Sequence, residues 1–96
     1  MRQIIRTLAA AALIAAAGQA PAAGCYADYK AKRDNPLRLH YGVIELHGEC
    51  TPANARAEAA ARLRAQGWTL LSIISVFGPE GLEERKANAG PYYLRY

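Results

Sequence analysis

A chain of 96 residues has room for one small domain, and an apolar fraction of 52% is too rich for a disordered tail. Twelve Lys and Arg against eight Asp and Glu give a formal charge of +4, but Arg2 and Arg6 carry two of those charges. From residue 25 onward ten bases face eight acids, and a balance of +2 is no electrostatic footprint of a nucleic-acid binder.

Residues 1–24 have the three parts of a secretory signal peptide. Arg2 and Arg6 make a positive start, positions 8–17 are an unbroken Leu/Ile/Ala run, and Gly18, Gln19 and Pro21 break the helix before small residues. A membrane span needs roughly 20 apolar residues, and a helix of a folded core would show a polar face that 8–17 lacks. Small residues permit cleavage after Ala22 or after Gly24. Ala22-Ala23-Gly24-Cys25 also forms a degenerate lipobox, with Ala22 where Leu is usual, so an envelope-anchored form lipidated at Cys25 is the alternative to free export. Residues 25–96 are then a single periplasmic or secreted domain with no membrane span of its own.

Cys25 and Cys50 are an even pair in an oxidising compartment. A bridge between them closes a loop of about 26 residues, worth roughly 3–4 kcal/mol in the chain-entropy model. A core this small needs such a staple.

Positions 26–35 are polar and basic with no clean period, and Asp34-Asn35-Pro36 is a turn signal. From Leu37 the pattern alternates, with Leu37, Leu39, Tyr41 and Val43 on one face, which predicts a half-buried strand. The phase then slips to Ile44 and Leu46, as a β-bulge beside Gly42 would make it. Arg38, His40, Glu45 and His47 would all face outward, leaving the two histidines near 20 Å apart at ~3.3 Å per residue. That is too far to share a metal. Thr51-Pro52 predicts a helix start, the helix running over 53–66 to Gly67 as its cap. Ala55, Ala59, Ala60 and Leu63 form its buried stripe.

Positions 68–77 predict a strand that is apolar on both faces, with Trp68, Leu70, Ile74 and Val76 on one and Leu71, Ile73 and Phe77 on the other. Such a strand is covered on both faces, and one helix covers only one. Leu71, Ile73 and Phe77 are therefore the candidate interaction face, for an unknown protein partner or for self-association. Positions 78–90 form a charged excursion, acidic first and basic last, which suits a short helix dipole. Positions 91–96 predict a last short strand.

No phosphate loop, nucleophile elbow or clustered ligand set appears, so neither a catalytic site nor a metal or cofactor is expected. Glu80 and Glu84 on a short charged helix are a solvated face. His47 beside Cys50 is a surface residue next to a disulfide, and Cys50 with His40 or His47 does not make a thiol-protease pair. Six tyrosines against one phenylalanine suit half-wet aromatic packing.

Two resemblances add to this. Gly67-Trp68-Thr69-Leu70-Leu71, followed by Tyr93-Leu94-Arg95, resembles a small bacterial β-α-β-β domain family of unknown function whose signature is Gly-Trp-Glu-Leu-Val, with Thr69 here in place of Glu. Cys25-Tyr26-Ala27-Asp28-Tyr29-Lys30, Leu39-His40-Tyr41-Gly42-Val43 and the stretch from Ser75 to Leu82 resemble uncharacterised small secreted proteins of alphaproteobacteria. Neither implies an activity. The expected fold is α+β, a small three-stranded, mainly antiparallel sheet with one main helix on a face (β-α-β-β) and a short helical excursion before the last strand. The last strand should slot between the first two, giving an all-antiparallel sheet; the alternative is that it pairs outside the second. The expected function is a non-enzymatic binding or interaction module. A small hydrolase or hydrolase inhibitor would need a pocket near Glu80, Glu84, His40 or His47.

Overall fold

The computed structural model describes residues 24–96. The expected signal peptide, up to residue 23, lies outside the described residues. Three strands make one sheet, β1 (Cys25–Arg33), β2 (Arg38–Leu46) and β3 (Thr69–Phe77), in the order β2-β1-β3 with both pairings antiparallel. One main helix, α1 (Pro52–Ala65), joins β2 to β3, and a short helix, α2 (Glu83–Ala89), follows β3.

The α+β class, the three antiparallel strands, the main helix and the short helical excursion all agree with expectation. The segment that fills the central slot differs. It is Cys25–Arg33 and not 91–96, so the chain order is β-β-α-β. In β1 the odd positions Cys25, Ala27, Tyr29 and Ala31 are buried in one cluster with Ala55, Ala59 and Leu63 of α1. The even positions Tyr26, Asp28, Lys30 and Lys32 take the opposite face. Alanines on strand and helix let the two approach closely, which suits a central strand though each buries little area. The C-terminal residues instead form a 3-10 turn, Gly90–Tyr92. One bridge from Tyr93 to Val43, with Leu94 N donating to Val43 O at 2.8 Å, lays them against the outer edge of β2.

The β1–β2 hairpin turns through Asp34, Asn35, Pro36 and Leu37, with Asn35 at φ 64, a region asparagine tolerates. Its register runs unbroken from Arg33 opposite Arg38 to Cys25 opposite Leu46, so the expected bulge beside Gly42 is absent. The apolar pattern slips phase because β2 is covered on both faces. Ile44 and Leu46 belong to the cluster under α1, and Val43, on the other face, is fully buried.

Thr51 caps α1, its Oγ1 accepting from Asn54 N at 3.1 Å, with Pro52 at the first turn. At the other end Gly67 N donates to Arg64 O and Trp68 N to Leu63 O, around Gly67 at φ 85. This is the Schellman arrangement. Ala55, Ala59 and Leu63 are its buried residues.

The expected bridge is present: Cys25 and Cys50 are bonded, with Cα atoms 5.8 Å apart. It ties the start of β1 to the loop before α1. The same loop is held by Glu58, whose carboxylate accepts from the backbone N–H groups of His47 (2.9 Å) and Gly48 (2.7 Å) and from Asn54 Nδ2 (2.6 Å). Arg62 pairs with Glu58 from one turn further along α1.

Candidate functional site

The two outer edges of the sheet are treated differently. That of β2 carries the Tyr93 bridge, whereas that of β3 has no strand partner among the described residues. Natural edge strands are usually blunted by lysine, proline or a covering segment. The nine residues of β3, Thr-Leu-Leu-Ser-Ile-Ile-Ser-Val-Phe, include no charge and no proline.

Two register shifts against β1 decide which β3 side chains are offered. Ile74 and Leu71 are left without cross-strand partners, so Leu70, Ile73 and Val76 follow one another at intervals of three and pack against the cluster under α1. Leu71 and Ile74 are thrust out, 50% and 48% exposed. The expected face of Leu71, Ile73 and Phe77 is therefore split, because strict alternation does not survive two bulges. Ile73 points inward. Phe77 stacks on Tyr26 with Arg85 3.9 Å over its ring. Leu71 alone of the three stays at the surface.

Leu71 stands between two hollows. On the helix side, a groove of about 290 Å³ runs between α1 and β3, with Arg56, Ala60 and Arg64 on one wall and Trp68, Leu70 and Leu71 on the other. Positions 56, 60 and 64 share one face of α1. Ala60, short and half-buried, leaves the space, and the two arginines rim it. Neither makes an ion pair with any described residue. On the opposite side, a hollow of about 280 Å³ lies among Lys30, Leu39, Tyr41 and Leu71 and reaches His40. No carboxylate lines either hollow. The open edge is thus apolar strand flanked by cations.

His40 was expected to face outward and instead turns in beneath the C-terminal turn. Its Nε2 is hydrogen-bonded to Tyr29 Oη at 2.9 Å, and its ring stacks on Tyr92 at 3.7 Å and meets Trp68 edge-on at 4.3 Å. Arg33 lies 4.0 Å over the Trp68 ring. Burial, and then the nearby Arg33 charge, hold its pKa below the ordinary imidazole value. Burial also raises the Tyr29 phenol, with Tyr92 and Tyr96 adding to it. Uncharged at neutral pH, this is an aromatic plug. His47 lies beyond the end of β2, where its backbone is bound by Glu58. Glu84 pairs with Arg85 at 3.0 Å, and Glu80 stays exposed in the turn before α2. Cys50 has no free thiol to act with any of these, being bonded to Cys25, and no group of three metal-ligating residues forms among the described residues.

One polar constellation escaped the sequence reading. Asp28, 4% exposed, accepts from Tyr41 Oη (2.8 Å), Ser75 Oγ (2.7 Å) and Arg85 Nε (3.0 Å). It joins all three strands to α2. Burial alone would raise its carboxyl, but the Ser75, Tyr41 and Arg85 hydrogen bonds outweigh this and hold it below the ordinary carboxylate range. Burial and the Asp28 carboxylate push the Tyr41 phenol up to about 12. With every acceptor engaged and no imidazole in the set, these groups clamp α2 onto the sheet. The excursion is a lid on the second face, held by Arg85 and by the buried Ala89. The one hint in the sequence was Asp28 as the sole acid ahead of Lys30, Lys32 and Arg33 within 25–33.

No described helix is long and apolar enough to cross a membrane. Compared with family models, curated proteins and solved structures, the chain gives no significant match.

Proposed function

We propose that the chain is an exported, disulfide-stapled and non-enzymatic binding module that engages a partner protein through the open edge of β3. The observation that carries this is the uncharged edge strand, with Leu71 and Ile74 half exposed where a covering segment would ordinarily lie. Export is supported by the signal-like residues 1–24 and by the Cys25–Cys50 bond, which persists in oxidising compartments. That bond and a lipid thioether compete for one sulfur, which favours the free form over one anchored at Cys25. The polar groups nearest to a catalytic set, at Asp28, are engaged in holding α2, and this supports a binding role over hydrolysis.

The test is photocrosslinking in cells that export the protein, from a photoreactive side chain in place of Leu71 or, as control, of Asp34 in the hairpin turn. The expected result is a discrete crosslinked species from position 71 alone. Equal labelling from both positions, or none from position 71, overturns the proposal. A product of twice the chain mass identifies the partner as a second copy.

A further inference from the structure

The two hollows that meet at Leu71 differ in a way that specifies an occupant. The helix-side groove is rimmed by Arg56 and Arg64, both exposed and without an ion-pair partner among the described residues, while the other lies over β1 and β2 and meets β3 at Leu71 alone. An extended peptide laid along the edge would hydrogen-bond to β3 through its backbone. It would place alternate side chains into the helix-side groove and, on the other face, over Leu71. The spacing of the arginines is then informative. Eight residues of helix at ~1.5 Å put Arg56 and Arg64 about 12 Å apart. Four residues of strand at ~3.3 Å span about 13 Å.

We infer that the β3 edge takes an extended segment with two carboxylates four residues apart on one face and apolar residues on the other. The carboxylates meet Arg56 and Arg64, which suit planar, bidentate pairing. The apolar face covers Leu71. The inference rests on the binding-module function proposed above and names its ligand. A second copy fits less well. Pairing two β3 edges about a two-fold axis perpendicular to the sheet sets both α1 helices on the same face. Four arginines would then gather along one seam without an acid to meet them.

The test is a titration of the oxidised full chain with synthetic peptides. The first is Thr-Val-Asp-Val-Thr-Val-Asp-Val-Thr with blocked ends, the second has asparagine at both aspartate positions, and the third moves one aspartate by one position, onto the opposite face. The first should bind at least tenfold more tightly than the other two, weakening as salt screens the pairs. Amide shifts should fall within residues 69–77. In the Arg56→Gln, Arg64→Gln double variant, two exposed substitutions that leave the core intact, the first peptide should drop to the level of the second.

Equal binding of all three peptides, or indifference to the double variant, overturns the inference. So does a stable dimer in sedimentation that excludes the peptide. If the position 71 crosslink to another protein persists while the peptides are not distinguished, the binding module stands and the acidic ligand falls. Loss of both removes the module as well.

Discussion

Tyr29 lies across Gly42 of the neighbouring strand, so closely that a Cβ on Gly42 would stand 2.6 Å from Tyr29 Cζ. The glycine serves the tyrosine. Without a side chain opposite, the Tyr29 ring stays fully buried and its hydroxyl reaches His40. Gly42→Ala should therefore displace the ring and destabilise the domain by about 1–3 kcal/mol, as overpacking does. Urea unfolding measures it, and Tyr29→Phe combined with Gly42→Ala should restore little, because the ring itself is the obstacle.

The glycine also explains part of what the sequence concealed. Gly42 between two apolar runs suggested a bulge in β2, yet β2 is regular and the bulges lie in β3, where nothing but Leu, Ile and Ser marks them. The helix, its caps, the strands β2 and β3 and the disulfide were legible because Thr51-Pro52, Gly67, the apolar runs and the even pair of cysteines are strong local signals. β1 was not, since alanines carry its buried side and lysines its other, and only the closeness of α1 makes alanine a core residue. Pro91 to Tyr96 alternates well enough to suggest a strand, but Gly90-Pro91 starts a 3-10 turn and Leu94 takes φ 58, so one bridge is all that forms. The open edge was half visible. The surplus of apolar residues in β3 was plain, while which of them emerge depends on the register shifts.

Removing Asp28 should release the lid. Asp28→Asn leaves the Arg85 guanidinium with only the exposed Glu84 as its ion-pair partner and unsettles Tyr41 and Ser75, a loss on the order of 3 kcal/mol. Limited proteolysis should then cut within residues 78–90, which the parent protein resists. An uncut lid in Asp28→Asn would show that α2 is held by other contacts.

Acid should weaken the fold in two steps, each with a fixed sign. His40 is held below its ordinary value of 6.5, so the unfolded chain binds more protons, and stability falls as pH drops below 6.5. His40→Gln should flatten that step. Glu58 is held at about 2 against an ordinary 4.5: burial raises it, but the His47, Gly48 and Asn54 hydrogen bonds and the Arg62 charge outweigh burial. Its contribution is complete above 4.5 and lost as pH falls from there toward 2. Glu58→Gln should shrink the lower step to the part that Asp28, also held below its ordinary range, contributes, and lose about 1–3 kcal/mol at neutral pH. Denaturant midpoints measured from pH 7 to pH 3 read both.

Reduction, or Cys50→Ser, should lose roughly 3–4 kcal/mol by restoring loop entropy to the unfolded chain. Non-reducing peptide mapping of the exported protein should join the peptides holding Cys25 and Cys50 and find an N-terminus at Ala23 or Cys25. A diacylglycerol on Cys25 would contradict the free, bridged form.

Amide hydrogen exchange along β3 tests the open edge most directly, comparing the oxidised protein alone and with the spaced acidic peptide. The β3 amides directed away from β1 should exchange fast in the free protein at low concentration and slow when the peptide is added, while those of β1 stay protected throughout. Outward β3 amides already as protected as those of β1, or unchanged by saturating peptide, would contradict it.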